Sequence, residues 1–164
     1  MGVLEFMPAP RRVLRHLAAE PADFAEEHGI RLHEVAQSVA QHSLEFMRTF
    51  SLETPAHWFG YFAIEGETQQ MVGTCSFKGP PDGGVLEIAY FTFPGFEGRG
   101  IGTEMARFLL ERARTLTGIT AVIAHTLPER NASTRILEKL GMSFSREDIE
   151  DDVTVWRWEL QLSQ

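Results

Sequence analysis

The sequence predicts an α/β protein with a single mixed central sheet and flanking helices. The chain has 164 residues, which is the size of one domain with a substantial core. Its second half alternates stretches of helical and strand-like periodicity, and its first half places a strand, two helices and a strand hairpin before the most apolar strand. We therefore expect residues 1–164 to form one domain.

The first half contains five predicted elements. Residues 3–6 (VLEF) predict an edge strand, followed by an irregular approach up to residue 20. Residues 21–29 predict a short helix, with a proline in its first turn and a glycine at its end. Residues 31–50 have apolar side chains at helical spacing and predict a longer amphipathic helix. Residues 58–65 and 71–78 predict two strands of a hairpin.

The second half begins with the stretch that organises the rest. After a turn at residues 79–84, residues 85–93 are almost continuously apolar and predict a central strand buried on both faces. The following elements are predicted in this order: helix 101–116, strand 119–126, helix 131–140, strand 142–147 and strand 153–162. Gly118 and Gly141 mark the ends of the two helices.

Composition excludes several classes of protein. The net charge of −8, without any Lys/Arg cluster, argues against binding to nucleic acid or to an anionic membrane. No apolar window reaches transmembrane length, and the N-terminus does not resemble a signal peptide. The single cysteine, Cys75, excludes an internal disulfide and is expected to be a packed thiol. No metal-ligand spacing is present, and we expect a cytoplasmic protein without a metal.

A glycine-rich loop between the central strand and the next helix predicts an anion site. Residues 97–102 read EGRGIG, and the free amide groups of a helix N-terminus bind phosphate well. The dinucleotide fingerprint fails because Thr103 stands where its third glycine is needed, and the Walker pattern is also absent. On the loop alone, a phosphate site and a glycine turn leading into an ordinary surface helix fit equally well.

A second segment makes the pattern more specific. Residues 126–142 read TLPERNASTRILEKLGM. With the loop, this segment resembles the GNAT superfamily of acetyl-CoA-dependent N-acetyltransferases, in the segment that follows the fifth strand of that family. It is most similar to the ribosomal-protein N-terminal (RimJ/RimL-like) branch, whose members often read Glu-Ile-Gly-Tyr where residues 87–90 read EIAY. The resemblance runs from about residue 73 to residue 160.

Three positions depart from the family pattern. Glu97 stands where the loop usually has Gln or Arg, Arg130 replaces the usual asparagine, with Asn131 one place later, and Met142 replaces the usual phenylalanine. Because the loop contacts are expected to be mainly backbone amides, the acid at position 97 predicts a weakened local field and a retained site.

The resemblance implies a GNAT fold that uses acetyl-CoA as cosubstrate. Residues 1–70 would form a variable, acceptor-side half and residues 71–162 the acetyl-CoA-binding half. In the family the central strand is bulged and splays from the fifth strand, and the pantetheine arm inserts between them. Carried over, the following residues would bind the cofactor: Tyr90, Phe91, Thr92, Phe93, Glu97, Gly98, Arg99, Gly100, Ile101, Gly102, Thr103, Asn131 and Ser133. The backbone of residues 90–93 would also polarise the thioester carbonyl.

Three residues are the catalytic candidates: Glu87, Ser133 and His125. Glu87 is an acid within an apolar strand, a setting that suits a general base, and the alternative is a solvent-facing acid that attracts a cationic amine. Ser133 matches the family's serine near the thiol, and its alternative is a helix-capping serine. His125 ends the fifth strand and is the one histidine placed where a base would be useful, with a structural histidine as its alternative. Tyr90 would act as an acid or as a core residue.

The expected reaction is direct attack of an amine on the thioester in a ternary complex. The acceptor is left open between a protein N-terminus and a small amine or amino acid, and the oligomeric state between monomer and homodimer. Two rival interpretations remain, a non-catalytic acyl-CoA-binding regulatory module and a nucleotide-binding protein without thioester chemistry.

Overall fold

The computed structural model describes residues 2–162 and contains one seven-stranded mixed sheet. The strands are β1 Leu4–Pro8, β2 Gly60–Glu65, β3 Gln70–Phe77, β4 Val85–Thr92, β5 Ala121–Thr126, β6 Ser143–Glu150 and β7 Val153–Gln161, in the spatial order β1-β2-β3-β4-β5-β7-β6. The helices are α1 Arg11–Ala19, α2 Pro21–His28, α3 Ala36–Met47, α4 Ile101–Thr115 and α5 Ala132–Lys139. Among the strands of residues 2–162, only β4 and β5 pair in parallel. The predicted fold class is confirmed.

The sheet has a separate apolar core on each face. One core contains α4, with Met105, α5, and the inward side chains of the central strands, such as Leu86 and Trp158. The other joins α1, α2 and α3 to β2 and β3 around Phe24 and Phe62. Successive strand residues point to opposite faces, so each strand divides its side chains between the two cores. None of the helices in residues 2–162 is both long and apolar enough to cross a bilayer.

The prediction that β4 is buried on both faces is wrong for its second half. Leu86 and Ile88 are buried against α4, but Ala89 is exposed and Phe91 is 46% exposed. The alternating pattern means that the face of β4 opposite α4 is not covered by a helix there. An open region therefore lies over the middle of the sheet, beside α3.

Two predictions in the first half are corrected by the structure. Residues 11–19 form helix α1 where an irregular approach was expected, and its buried Leu14 and Leu17 lie three positions apart, on one helical face. The neighbouring prolines and arginines obscured this short pattern. The predicted helix 31–50 is confined to Ala36–Met47, because Arg31 forms a bridge with Gln70 of β3 and His33 Nδ1 accepts a hydrogen bond from the Val35 amide.

The other elements are confirmed within a few residues of their predicted ends. Helix α2 begins at Pro21 and ends at His28, and its C-cap, Gly29, has a φ of 64° that suits glycine. β6 runs to Glu150, beyond the predicted 147, because it forms a hairpin with β7 across Asp151 and Asp152. The predicted edge strand, β1, lies at one edge of the sheet.

Strands β4 and β5 separate along their length. Their parallel pairing covers Val85 to Ile88 and stops there, although β4 continues to Thr92 and β5 to Thr126. The expected bulge in β4 is absent, since its residues pair one-to-one with β3 from Phe77↔Ile88 to Gly73↔Thr92. The splay therefore arises without a bulge, and the β5-facing edge of β4 has no strand partner beyond Ile88 within the described chain.

Cys75 provides a test of the buried core. The thiol is 1% exposed, as predicted, and burial raises its pKa to about 12. The unfolded chain releases this proton near pH 9, so the unfolded state binds fewer protons between pH 9 and 12. The buried neutral thiol contributes its full stabilisation below pH 9. Between pH 9 and 12, the free energy of unfolding should fall by up to about 1.4 kcal/mol for each pH unit. Urea denaturation at pH 8 and pH 10.5 measures this decrease in the free energy of unfolding.

The Cys75→Ala variant is the control for this prediction. It has no thiol to titrate, so its stability should fall less steeply between the two pH values. The same slope in both proteins would contradict the assignment of the alkaline loss to Cys75.

Candidate active site

A cavity of about 470 Å³ lies at the end of β4, against the glycine loop and the first turns of α4 and α5. It is lined by most of the predicted cofactor-binding residues, together with four that sequence reasoning missed, Phe96, Ala132, Arg135 and Ile136. The predicted lining residues are Tyr90, Phe91, Thr92, Glu97, Gly98, Gly100, Ile101, Gly102, Thr103 and Ser133. Three predicted residues lie outside this lining: Phe93 is fully buried in the core, Arg99 lies over the Phe96 ring, and Asn131 caps α5.

Helix α4 begins without a side-chain cap among the described residues. Its N-cap is Gly100, which has a φ of 80°, and Gly98 has a φ of 77°. These left-handed conformations curl the loop, and only glycine adopts them without steric cost. The first-turn amide groups of α4 therefore remain available to an anion at the cavity, beside the positive end of the helix dipole.

Glu97 lines the cavity, and its carboxylate is held by the turn that precedes the loop. Glu97 Oε2 accepts a hydrogen bond of 2.9 Å from the Gly95 amide, which closes the turn after β4. The cation that faces the cavity from the other side is Arg135, in the first turns of α5. The acid in the loop motif is thus a turn-forming residue, and a positive side chain lines the cavity where a phosphate would bind.

The start of α5 is fixed by a capping box. Asn131 Oδ1 accepts from the Thr134 amide and Thr134 Oγ1 accepts from the Asn131 amide, each at 3.0 Å. Arg130 points away and pairs with Glu138 on the exposed side of α5. Because Asn131 is the cap, Ser133 is not, and the Ser133 hydroxyl makes no hydrogen bond within residues 2–162.

Removing this cap tests its role. Asn131→Ala should lower the free energy of unfolding by about 1 kcal/mol, because it leaves first-turn amides of α5 without a partner. Urea denaturation measures the change. Asn131→Asp retains a good capping acceptor and should stay close to the original stability, and Arg130→Ala should change it by less than about 0.5 kcal/mol. Equal stability of all three variants would contradict the capping assignment.

A smaller cavity of about 100 Å³ occupies the splay between β4 and β5. It is bounded by Ile88, Ala89 and Tyr90 on one strand and by Ala124, His125 and Thr126 on the other, with Ser133 and Leu137 above. Tyr90 and Ser133 also line the glycine-loop cavity, so the two spaces adjoin. Tyr90 Oη donates to the Ser133 carbonyl at 3.3 Å, and burial raises the pKa of Tyr90 to about 12. Tyr90 therefore keeps its proton at neutral pH.

Glu87 and His125 meet at the far end of the splay. Glu87 Oε2 lies 2.9 Å from His125 Nδ1, and the two side chains are 22% and 15% exposed. Glu150 Oε2 lies 3.2 Å from the same ring nitrogen, and Asp148 Oδ2 lies 3.4 Å from Nε2. Two of the catalytic candidates are therefore in direct contact, within a mostly acidic cluster at the surface of the sheet.

Lys78 is the cation of this cluster. Its Nζ lies 3.2 Å from Glu87 and 3.0 Å from Glu150. Burial acts to lower the pKa of Lys78, but the hydrogen bond and charge of Glu150 and those of Glu87 outweigh it and raise the pKa above the ordinary lysine value. Glu87, His125 and Glu150 are close enough together to share a metal ion. However, the lysine already supplies a positive charge to both carboxylates, so the geometry does not call for one.

A third cavity, of about 240 Å³, lies over the uncovered middle of the sheet, between α1, α3 and strands β2–β4. Its lining is mainly apolar, from Leu14, Phe46, Met47, Phe59 and Phe62. It adjoins the Glu87–His125 cluster, because Lys78 and Ala89 line both the cavity and the groove that contains Glu87 and His125. The helices of the first half therefore wall a chamber beside the two catalytic candidates.

A sheet that opens between two parallel strands, beside an uncapped helix, is the framework of the acyl-CoA-dependent N-acyltransferases. The model of the acetyltransferase (GNAT) domain matches residues 11–143, and the chain therefore belongs to the GNAT acetyltransferase family. The match begins at α1, so it includes first-half helices that lie outside the region of the sequence resemblance, residues 73–160. The resemblance to this superfamily is confirmed.

Solved structures show the same fold at low sequence identity. A ribosomal-protein-S5-alanine acetyltransferase from Vibrio fischeri superposes with a TM-score of 0.61 at 10% identity, over 96% of this chain and 91% of that one. RimL, a ribosomal alpha-N-protein acetyltransferase in complex with coenzyme A, superposes with a TM-score of 0.61 at 14% identity, over 99% of this chain and 96% of that one. A chimera of the spermidine N-acetyltransferase SpeG from Vibrio cholerae and hSSAT superposes with a TM-score of 0.64 at 12% identity, over 96% of this chain and 95% of that one.

These neighbours have different acceptors, so they support the fold and leave the predicted RimJ/RimL-like branch unconfirmed. A search among curated proteins gives no match.

Proposed function

We propose that this protein is an N-acetyltransferase that moves the acetyl group of acetyl-CoA to a primary amine by direct attack in a ternary complex. The observation that supports it most is the continuity of the glycine-loop cavity, the smaller splay cavity and the groove that contains Glu87 and His125. They lead from the glycine loop, through the splay beyond Ile88, to the contact between Glu87 and His125. Residues 71–162 would bind acetyl-CoA, and residues 1–70 would form the acceptor side.

The residues at the cavities fit acetyl-CoA as a substrate. The uncapped amides of α4 and the guanidinium of Arg135 suit its pyrophosphate, and the edge of β4 beyond Ile88 offers backbone groups to an amide-containing arm. Acetyl-CoA supplies an activated thioester. The backbone amides of residues 90–93 would stabilise the negative charge that develops on the carbonyl oxygen.

The Glu87–His125 pair would prepare the acceptor. A protonated amine is attracted by the carboxylates of the cluster, and it must lose a proton before it attacks. His125, held by Glu87 through Nδ1, and Glu87 itself are both within reach of the groove. At the other end of the splay, the proton for the departing thiolate would come from the Ser133 hydroxyl or from Tyr90, which stays protonated at neutral pH.

The two sequence departures that favoured a regulatory acyl-CoA-binding module have structural explanations. Glu97 closes a turn through the Gly95 amide, and Arg130 pairs with Glu138 outside the cavity. Arg130 lies outside the cavity lining, and Glu97 lines the cavity with its carboxylate held by the Gly95 amide. The contact between an acid and an imidazole at the end of the splay favours an enzyme over a binding module.

The first experiment is a thermal melt with acetyl-CoA, CoA, ATP and NAD in parallel. At about one hundred times Kd, a ligand that binds only the folded state stabilises by about 2.7 kcal/mol, which is roughly 5–10 °C for a chain of this size. We expect acetyl-CoA and CoA to raise Tm and ATP and NAD to leave it unchanged. No rise with millimolar acetyl-CoA, or an equal rise with ATP, would contradict the proposal.

We propose a cytoplasmic enzyme, acting as a monomer or homodimer. Its acceptor would be a protein N-terminus or a small amine, and the chamber beside Glu87 would select between these.

A further inference from the structure

The chamber between α1, α3 and the sheet has a chemical character that restricts the acceptor. We infer that it holds the apolar group of a small primary amine, such as an alkyl or arylalkyl amine without a carboxylate, while the ammonium group lies at the Glu87–His125 contact. This inference rests on the proposed function and names the substrate class of the same site.

The size of the chamber fits a single ring or a branched alkyl group. Its volume of about 240 Å³ is below the roughly 300–1,000 Å³ of sites for drug-sized ligands. The walls are the apolar side chains of Leu14, Phe46, Met47 and Phe59. Burying an apolar group there is favourable in proportion to the area removed from water.

The charges around the chamber exclude two other classes of amine. None of its lining residues is acidic, so the second ammonium group of a polyamine would have no partner inside it. Its one Lys or Arg lining residue, Lys78, is already paired with Glu87 and Glu150, and its one histidine, His42, is exposed on α3, so the chamber offers the carboxylate of a free amino acid no unpaired lysine or arginine.

Two polar residues of the chamber lining, Ser76 and Lys78, lie beside the end of β4 that carries Glu87. Ser76 pairs with Ala89 in the β3–β4 register, and two residues later, just past the end of β3, the Lys78 amide donates to the Glu87 carbonyl. An amine whose nitrogen lies near Glu87 therefore directs its substituent past Ala89, toward the apolar walls. A peptide N-terminus would add backbone amide groups there, which the few hydroxyl groups of the lining do not satisfy.

The experiment compares acetylation rates, by CoA release, for 2-phenylethylamine, ethylamine, L-phenylalanine, spermidine and a peptide that begins with phenylalanine. We expect kcat/KM for 2-phenylethylamine to be at least about 100-fold higher than for ethylamine, since filling an apolar pocket discriminates by factors of this order. A higher kcat/KM for spermidine, L-phenylalanine or the peptide than for 2-phenylethylamine would overturn the inference. A lack of acetylation of every amine would contradict the proposed function itself, and the inference would fall with it.

Two variants locate the effect in the chamber. Ser76→Leu fills it and should lower kcat/KM for 2-phenylethylamine by about 10- to 100-fold, with little change for ethylamine. Phe46→Ala, at a partly exposed wall position, opens the chamber and should lower kcat/KM for 2-phenylethylamine by about 10-fold. The matched control is Ser143→Leu on the exposed strand β6, which should leave both amines unchanged. Equal losses for both amines in the two chamber variants would contradict the assignment.

Discussion

Glu87→Gln should lower kcat by about 10²–10⁴-fold and leave the rise in Tm with CoA unchanged. Glutamine keeps the shape of the side chain and removes its negative charge. The variant loses the group that holds His125 Nδ1 at 2.9 Å and half of the anionic environment of Lys78. Steady-state acetylation of an accepted amine, with CoA melts in parallel, separates turnover from cofactor binding.

The partner and a matched control make this prediction specific. His125→Gln should cause a loss of similar size, and the double variant should lose little more than either single variant, because residues that act as a unit are not additive. Glu111→Gln, at an exposed position of α4, removes one carboxylate of the same type and should keep full activity. An unchanged kcat in Glu87→Gln would exclude the acid–imidazole pair from catalysis. Loss of the CoA melt shift would instead indicate a structural role.

Gly100→Val should abolish the rise in Tm with acetyl-CoA at concentrations that saturate the original protein. The N-cap of α4 has a φ of 80°, a conformation that costs a β-branched residue about 1–3 kcal/mol. The loop would relax toward negative φ, and the first amides of α4 would no longer converge on one anion. The measurement is a titration of Tm with acetyl-CoA, together with KM for acetyl-CoA.

The same substitution elsewhere separates strain from cofactor binding. Gly118 follows α4 with a φ of 84°, and, as at Gly100, a Cβ atom there would meet no atom within 4 Å. Gly118→Val should therefore lower Tm by a similar amount in the absence of ligand, yet keep the full rise with acetyl-CoA. Equal rises in the two variants would contradict the placement of the pyrophosphate at the glycine loop.

Local sequence patterns predicted the elements whose cause is local. The glycine loop was identified because its signals are contiguous, with glycines at residues 98–102 directly before a helical period. Helix α1 was missed because its nine residues lie between two prolines and carry three arginines. The start of α3 was misplaced because a contact with β3, distant in sequence, keeps Arg31 out of the helix.

The site was only partly predictable for the same reason. Glu87 and His125 were each singled out, but their contact joins residues 38 positions apart and depends on the parallel register of β4 and β5. Lys78 had a usable signal, since the turn at residues 79–84 sets it opposite Glu87. Glu150 had no such signal in the sequence, because its position depends on where the last hairpin turns. The sequence indicated a strand that ended at residue 147, before Glu150.

The early end of the β4–β5 pairing implies a conflict between folding and activity. Beyond Ile88, the two strands forgo ladder hydrogen bonds that a continuous parallel pair would make. A variant in which β4 and β5 paired up to Thr92 would be a more thermostable protein, with the proposed substrate channel closed. Selection for heat resistance alone would therefore favour inactive descendants, and stabilising substitutions in this family member are better sought in α1, α2 and the β6–β7 hairpin.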